Sequence, residues 1–291
     1  MMKTLLVKLG LVKAGVEARK TVSFGDPEAA KGGLFWSILS VSTVIGLWLI
    51  YGAVLDGMEE SRRSTLSLYM PPISAVIGEF VNVATDGFRN YTLLEHIGVS
   101  LYRMAVGFVF GCLIGIPLGF AMGLSKVARG ILDPIVEVMR PVPPLALIPL
   151  AIIWMGIGDF PKIFLLFLAA LWVMILAARA GVQSIRLSKI HAAYTLGASK
   201  KQVLIKVILP NALPEIFTGM RVSMGVCWGT LVAAELVAAT AGTGFMIVFA
   251  GKILNTALVL VGIIIIGIIA AAIDVGMRKL EAKMIPWKGK A

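Results

Sequence analysis

The sequence predicts an all-α integral membrane protein with six transmembrane helices, and three observations carry that prediction. Of its 291 residues, 58% are hydrophobic and only 15% charged, where a soluble domain carries about a quarter charged. The apolar residues gather into runs of roughly 20, the length that crosses a hydrocarbon core about 30 Å thick. The lysines and arginines fall mostly in the short segments between those runs, and very unevenly.

The first run, 34–55, contains no charge until it ends. The second, about 97–124, carries Arg103 in its first two turns. Runs 135–157 and 160–178 make a third and fourth span around the tight turn Gly156-Ile157-Gly158-Asp159-Phe160-Pro161. Runs 215–239 and 253–275 supply the fifth and sixth. If both termini are cytoplasmic, the inward segments hold twenty lysines and arginines and the outward segments five. The positive-inside rule therefore places both termini in the cytoplasm. In the long first outward connection, Ile73, Val76, Ile77, Phe80, Val83 and Ala84 recur at helical spacing after Pro71-Pro72. They predict an amphipathic helix lying against the outer leaflet or the bundle.

Ahead of the first span, Leu5, Leu9, Val12 and Val16 recur at helical spacing among Lys3, Lys8 and Lys13. The lysines leave no uninterrupted signal-peptide core. Two readings stand for this segment: an amphipathic helix on an anionic membrane face, or a disordered basic tail. No low-complexity linker divides the chain. The expected organisation is a cytoplasmic tail over 1–33, one transmembrane domain over 34–283, and a cytoplasmic tail over 284–291.

The net charge of +11 does not indicate nucleic acid, because no aromatic residues interleave with the basic ones as a base-stacking surface requires. The lipid bilayer is the partner that the charge pattern fits. Cys112 and Cys227 both lie inside apolar runs and read as small core residues rather than metal ligands or a disulfide. Catalytic signatures are missing too. There is no G-x-x-x-x-G-K-[ST], H-E-x-x-H or G-x-S-x-G, and the two histidines, His96 and His191, fall on opposite sides of the membrane. The chain reads as a transport component and not an enzyme.

Within the spans, Gly107, Gly111, Gly115, Gly119 and Gly123 place a glycine at every fourth residue of the second. That spacing lines one helix face with missing side chains, so another backbone can approach closely; the same face could also slide or line a pore. Arg140-Pro-Val-Pro-Pro144 and Pro149 read either as entry geometry for the third span or as a hinge. The fifth span holds Arg221 and Glu235, with Met224 and Trp228 between them. An ionisable group at mid-membrane costs roughly 3 kcal/mol unless it faces water or a partner. The two lie about 21 Å apart along a helix, too far to pair within one chain. Arg221 can snorkel to the interface. For Glu235 two readings stand: a place on the translocation path or its gate, together with Arg221, Met224 and Trp228, or a buried hydrogen-bonded strut.

The segment 186–210 is the most informative. It reads His191-Ala192-Ala193-Tyr-Thr-Leu196-Gly197-Ala198-Ser199, then two lysines, and closes Lys206-Val207-Ile-Leu209-Pro210. Ala192, Ala193 and Leu196 are expected on one side of a short helix. Gly197 allows a sharp reversal, and Pro210 is expected to end the segment before a fifth span that starts at Pro214-Glu215. A helical hairpin standing in the cytosol has no purpose in lipid and reads as a handle for a partner.

These residues resemble the EAA loop of binding-protein-dependent ABC importer permeases: Ala192, Ala193 and Gly197 fall at its spacing, then Val207, Leu209 and Pro210. His191 stands where that pattern carries an acid, and Val207 replaces an isoleucine. The resemblance runs from about Met70 to the C-terminus. Through Arg140-Pro-Val-Pro-Pro-Leu-Ala146, Trp154-Met-Gly-Ile-Gly158, Leu231-Val-Ala-Ala-Glu-Leu236 and Gly244-Phe-Met246 it is closest to the nitrate, sulfonate and taurine branch. Pro143-Pro144, the alanine–glutamate stretch and Pro286-Trp287-Lys-Gly289 most resemble taurine transporter permeases. The resemblance implies a type I ABC importer permease (MetI-like) fold working as a homodimer in a bacterial inner membrane. It also implies two ATP-binding cassette subunits, which bind ATP and Mg that this chain does not, and a periplasmic or extracellular solute-binding protein. The implied solute is a small sulfonate, taurine first, with nitrate or an alkanesulfonate as alternatives. A different class of reading, an ion-gradient-driven secondary transporter with Glu235 as its coupling carboxylate, would need no ATPase.

Overall fold

The computed structural model describes residues 33–287; the N-terminal amphipathic segment and the terminal Lys288-Gly289 lie outside them. The described residues form helices, with a single isolated β-bridge between Phe88 and Tyr91. Two compact units divide at Val54. The described residues of the first are those of α1 (Gly33–Asp56) up to that point. It exposes Trp36, Ile38, Val44 and Leu47 on a helix long and apolar enough to cross a membrane.

The second unit carries the remaining helices. α2 (Glu60–Tyr69) and α3 (Ile73–Thr85) meet at a 65° bend over Pro71-Pro72. α3 is the expected amphipathic helix, burying Val76 and Val83 while Ile77 and Phe80 stay exposed. α4 (Leu93–Leu124) starts on a capping box, in which Thr92 Oγ1 accepts from the Glu95 amide and the Glu95 carboxylate accepts from the Thr92 amide. α7 (Asp159–Gln183) runs back beside it. Further along come α8 (Leu187–Thr195), α9 (Lys200–Val203), α10 (Leu209–Ala238), α11 (Thr243–Lys252) and α12 (Thr256–Met284).

The core lies where α4, α7 and α10 meet, and Met104, Phe108, Leu166, Ala170, Met174, Cys227 and Leu231 fill it. Cys112 belongs to the same cluster, and both cysteines are free and buried. The glycine face of α4 is what lets α7 come so near. A Cβ at Gly107 would sit 2.5 Å from Leu166 Cβ, and one at Gly115 would sit 2.8 Å from Met174 Cβ. Gly219 of α10 receives Ala177 of α7 in the same way. Because packing drives association in lipid, filling this seam separates the two helices. Gly107→Leu is expected to destabilise by about 1–3 kcal/mol, whereas Gly98→Leu on an open face of α4 leaves the melting temperature in detergent unchanged.

Two expected boundaries are corrected. The third span is not one straight helix. α5 (Lys126–Met139) and the segment Pro144–Leu147 plus α6 (Ile148–Met155) meet at an 83° bend. Pro141, Pro143 and Pro144 withdraw three amide donors in succession, so no helical ladder can cross that stretch. Nor does Pro210 end a segment ahead of a helix starting at Pro214. α9 runs through a π-turn (Leu204–Ile208) into α10, with Pro210 in its first turn and Pro214 inside it. The π-turn already breaks the i→i−4 ladder, so a residue lacking N–H is tolerated just beyond it. Among the described residues, five helices are long and apolar enough to span a membrane; counting the bent α5–α6 pair as one span gives six, and counting the bent α2–α3 pair as another gives seven.

Candidate coupling hairpin and buried charge network

The hairpin stands at one end of the bundle, between α7 and α10. α8 closes on a Schellman motif: the Ala198 amide donates to Ala193 O at 3.0 Å and the Gly197 amide to Tyr194 O at 2.9 Å. Gly197 takes φ +79°, which only glycine adopts without penalty. Ser199 then caps α9, its hydroxyl accepting from the Gln202 amide while its own amide donates to Gln202 Oε1 at 2.8 Å. Ala193, Ala198 and Val207 pack on Val182, Val203 and Ile208, which anchors the hairpin to the bundle. Lys189 Nζ adds a 2.9 Å hydrogen bond to Asn211.

His191, Ala192, Ser199 and Leu209 are exposed, Pro210 is half-buried, and Leu196 is 87% exposed. Leu196 thus does not share the side that Ala193 uses for packing. It occupies the C-cap, where the chain leaves helical geometry, and is exposed there with Tyr194 as an apolar tip, while Leu187 is exposed at the other end of the helix.

The opposite end of the bundle holds a network that sequence reasoning saw only in part. Glu235, 0% exposed near the end of α10, receives Arg103 Nη1 at 2.7 Å, Ser100 Oγ at 2.8 Å and the Gly244 amide at 2.7 Å. Its carboxylate lies at the N-terminus of α11, where the helix dipole favours an anion. Gly242, at φ +132°, makes the approach possible, since a Cβ there would lie 2.5 Å from Glu235 Oε2. Arg103 Nη1 also donates to Ala241 O at 2.8 Å, and its Nε donates to Asp159 Oδ1 at 2.8 Å. Lys162, 3.6 Å from Asp159, balances the group at two cations and two anions. The Thr243 amide donates to Ser100 Oγ at 2.8 Å. His96 Nδ1 accepts from the Gly242 amide at 3.0 Å while Nε2 donates to Phe88 O at 3.0 Å, an arrangement that suits the Nε2–H tautomer.

Arg103 was missed as the partner of Glu235, and Asp159 and Lys162 as further members of the same network. The signal lay in two lone, oppositely charged residues in separate spans, each requiring a partner. Arg221 pairs with Asp274 at 3.0 Å across α10 and α12. Arg221, Met224 and Trp228 line one cavity, and Glu235 is not among its walls.

Residues 111–286 match the family described as binding-protein-dependent transport system inner membrane component. The chain is 50% identical over 224 residues to the taurine transport system permease protein TauC of Escherichia coli (strain K12), covering 77% of this chain and 82% of that one. It is 32% identical over 262 residues to the putative aliphatic sulfonates transport permease protein SsuC of Bacillus subtilis (strain 168), covering 90% and 91%. Among solved structures, a chain of the MetNI methionine ABC transporter in an inward facing conformation aligns with TM-score 0.52 at 24% identity, covering 64% of this chain and 95% of that one. That likeness is one of fold, and it is the MetI-like permease fold. The chain belongs to the family of binding-protein-dependent transport system inner membrane components, the permease subunits of ABC importers.

Proposed function

We propose that this chain forms the translocation path for a small sulfonate, taurine first, and that it does so as a homodimer with both termini in the cytoplasm. As a permease subunit of a binding-protein-dependent importer it works with ATPase subunits, through which ATP and Mg act, and with a solute-binding protein. The observation that carries the solute is the 50% identity to a taurine permease over most of both chains. The orientation is supported by twenty cytoplasmic lysines and arginines against five outside.

Coupling is assigned to His191, Ala192, Ala193, Leu196, Gly197, Ala198, Ser199, Val207, Leu209 and Pro210. Their apolar tip and glycine turn offer an ATPase a shape to grip. His191 removes the acid of the family pattern, so docking rests on packing more than on charge there. ATP-driven movement of the ATPases then shifts the hairpins and selects between two arrangements of the bundle. Arg221, Met224 and Trp228 are assigned to the path and Glu235 to its gate.

The decisive experiment reconstitutes permease, ATPase and binding protein in vesicles and measures ATP hydrolysis with taurine, a longer alkanesulfonate or nitrate. Taurine is expected to stimulate most. Stimulation by nitrate alone would overturn the solute, and solute uptake without any ATPase would overturn the importer reading.

A further inference from the structure

We infer that Asn211 is a positioning residue for coupling: it pins the start of the hairpin helix α8 to the π-turn, so that α8 and α10 move together. The inference rests on the coupling reading above and adds a residue which that reading does not use. α8 buries none of its nine residues. Ile190 and Ala193 are half-buried against the cluster around Val182, Val203 and Ile208. Apolar contacts of this kind are non-directional, so they keep α8 near the bundle without fixing its register.

The route along the chain is compliant as well. From α8 it passes the Gly197 turn and α9 before entering the π-turn. There the Leu209 amide bonds Leu204 O, five residues back rather than four, and Pro210 brings no amide at all. A helix bends most readily where a π-bulge and a proline interrupt its ladder. A push on α8 could therefore be absorbed at this junction instead of reaching α10. Asn211 closes that gap. Its Nδ2 donates to Val207 O, inside the π-turn, at 2.6 Å, while its Oδ1 accepts from Lys189 Nζ of α8 at 2.9 Å. A flipped amide would set donor against donor at Lys189 and oxygen against oxygen at Val207, so the two bonds demand one orientation. The bond from Lys189 is charge-assisted and directional. One half-buried side chain thus joins the first turn of α8, the π-turn and the first turn of α10.

The test reconstitutes permease, ATPase and taurine-loaded binding protein in vesicles and measures ATP hydrolysis and taurine uptake side by side. Asn211→Leu removes both bonds. It should still co-purify the ATPase and hydrolyse ATP, while taurine imported per ATP falls about fivefold, the shift that loss of one net hydrogen bond brings. Lys189→Met should fall as far, and the double variant no further, because the two side chains act through one link. Asn211→Thr separates the two bonds. A threonine hydroxyl bonds the carbonyl four residues back, as Thr218 and Thr230 do at 2.9 Å, yet it is too short to reach Lys189, so it should fail like leucine. Lys189→Arg keeps a cationic donor and should stay coupled. Lys189 is exposed, so Lys189→Met carries the test even where Asn211→Leu fails to fold. Spin labels at Ser188→Cys and Glu215→Cys, both exposed, read the pin without any solute, and the native cysteines are buried. Their distance distribution should be narrow in the ATPase complex and broaden in Asn211→Leu and Lys189→Met. An unchanged distribution overturns the pin, and so does a broadened one with wild-type taurine uptake per ATP. Loss of ATPase co-purification in Lys189→Met also overturns it, since Lys189 would then be a docking residue. If these variants are coupled as wild type while Gly197→Val abolishes uptake, the pin fails and the coupling reading stands; wild-type uptake in Gly197→Val overturns both.

Discussion

Replacing Arg103 with methionine is expected to destabilise the permease by about 3–5 kcal/mol, the loss typical of removing one member of a buried ion pair. Glu235 is 0% exposed and would lose its cation, left supported only by Ser100, the Gly244 amide and the α11 N-terminus. Asp159 suffers less. Its side chain is 49% exposed and it retains Lys162. The asymmetry gives the prediction its test. Arg103→Met combined with Glu235→Met removes both members of the buried pair and leaves Lys162 with Asp159, together with unpaired hydroxyl and amide groups worth about 1–3 kcal/mol each. The double variant should therefore melt above the single one in detergent. Equal melting temperatures for the two would show that the pair is not the source of the loss. Because the network joins α4, the start of α7, the end of α10 and the turn into α11, its failure should loosen that end of the bundle while the hairpin end keeps its packing.

The long apolar runs, the glycine repeat and the hairpin were legible because each follows from one dominant effect acting locally. Gly107 through Gly123 mark one helix face by period alone, and the structure places α7 against that face. The proline-rich breaks were harder. Both Pro141–Pro144 and Pro210–Pro214 withdraw amide donors, yet the first stretch bends the chain by 83° and the second sits inside a continuing helix. The difference is the π-turn at Leu204–Ile208, whose altered hydrogen bonding has no compositional mark. The Glu235 network was half legible. The membrane makes any lone ionisable residue seek a partner, but residues 103, 159 and 235 are brought together only by tertiary packing.

Replacing Gly197 with valine is expected to abolish solute uptake while leaving the fold intact. At φ +79° an L-residue pays roughly 1–2 kcal/mol, and a β-branched one is a genuine outlier. No atom lies within 4 Å of the position a Cβ would take, so the penalty is one of backbone alone. Relief comes by opening the turn, which breaks the bonds from Gly197 and Ala198 back to Tyr194 and Ala193 and displaces the exposed Leu196. A penalty of that size shifts the closed turn by roughly 5–30-fold. The hairpin contributes little to the α4–α7–α10 core, so the melting temperature in detergent should stay close to wild type. Co-purification of the ATPase and uptake into vesicles should fall together. Gly197→Asn supplies the control, since asparagine enters the left-handed region far more readily than valine; it should keep most of both activities. Uptake and ATPase retention at wild-type levels in Gly197→Val would remove the hairpin from the coupling pathway, whereas loss in valine with rescue in asparagine ties coupling to the shape of this single turn.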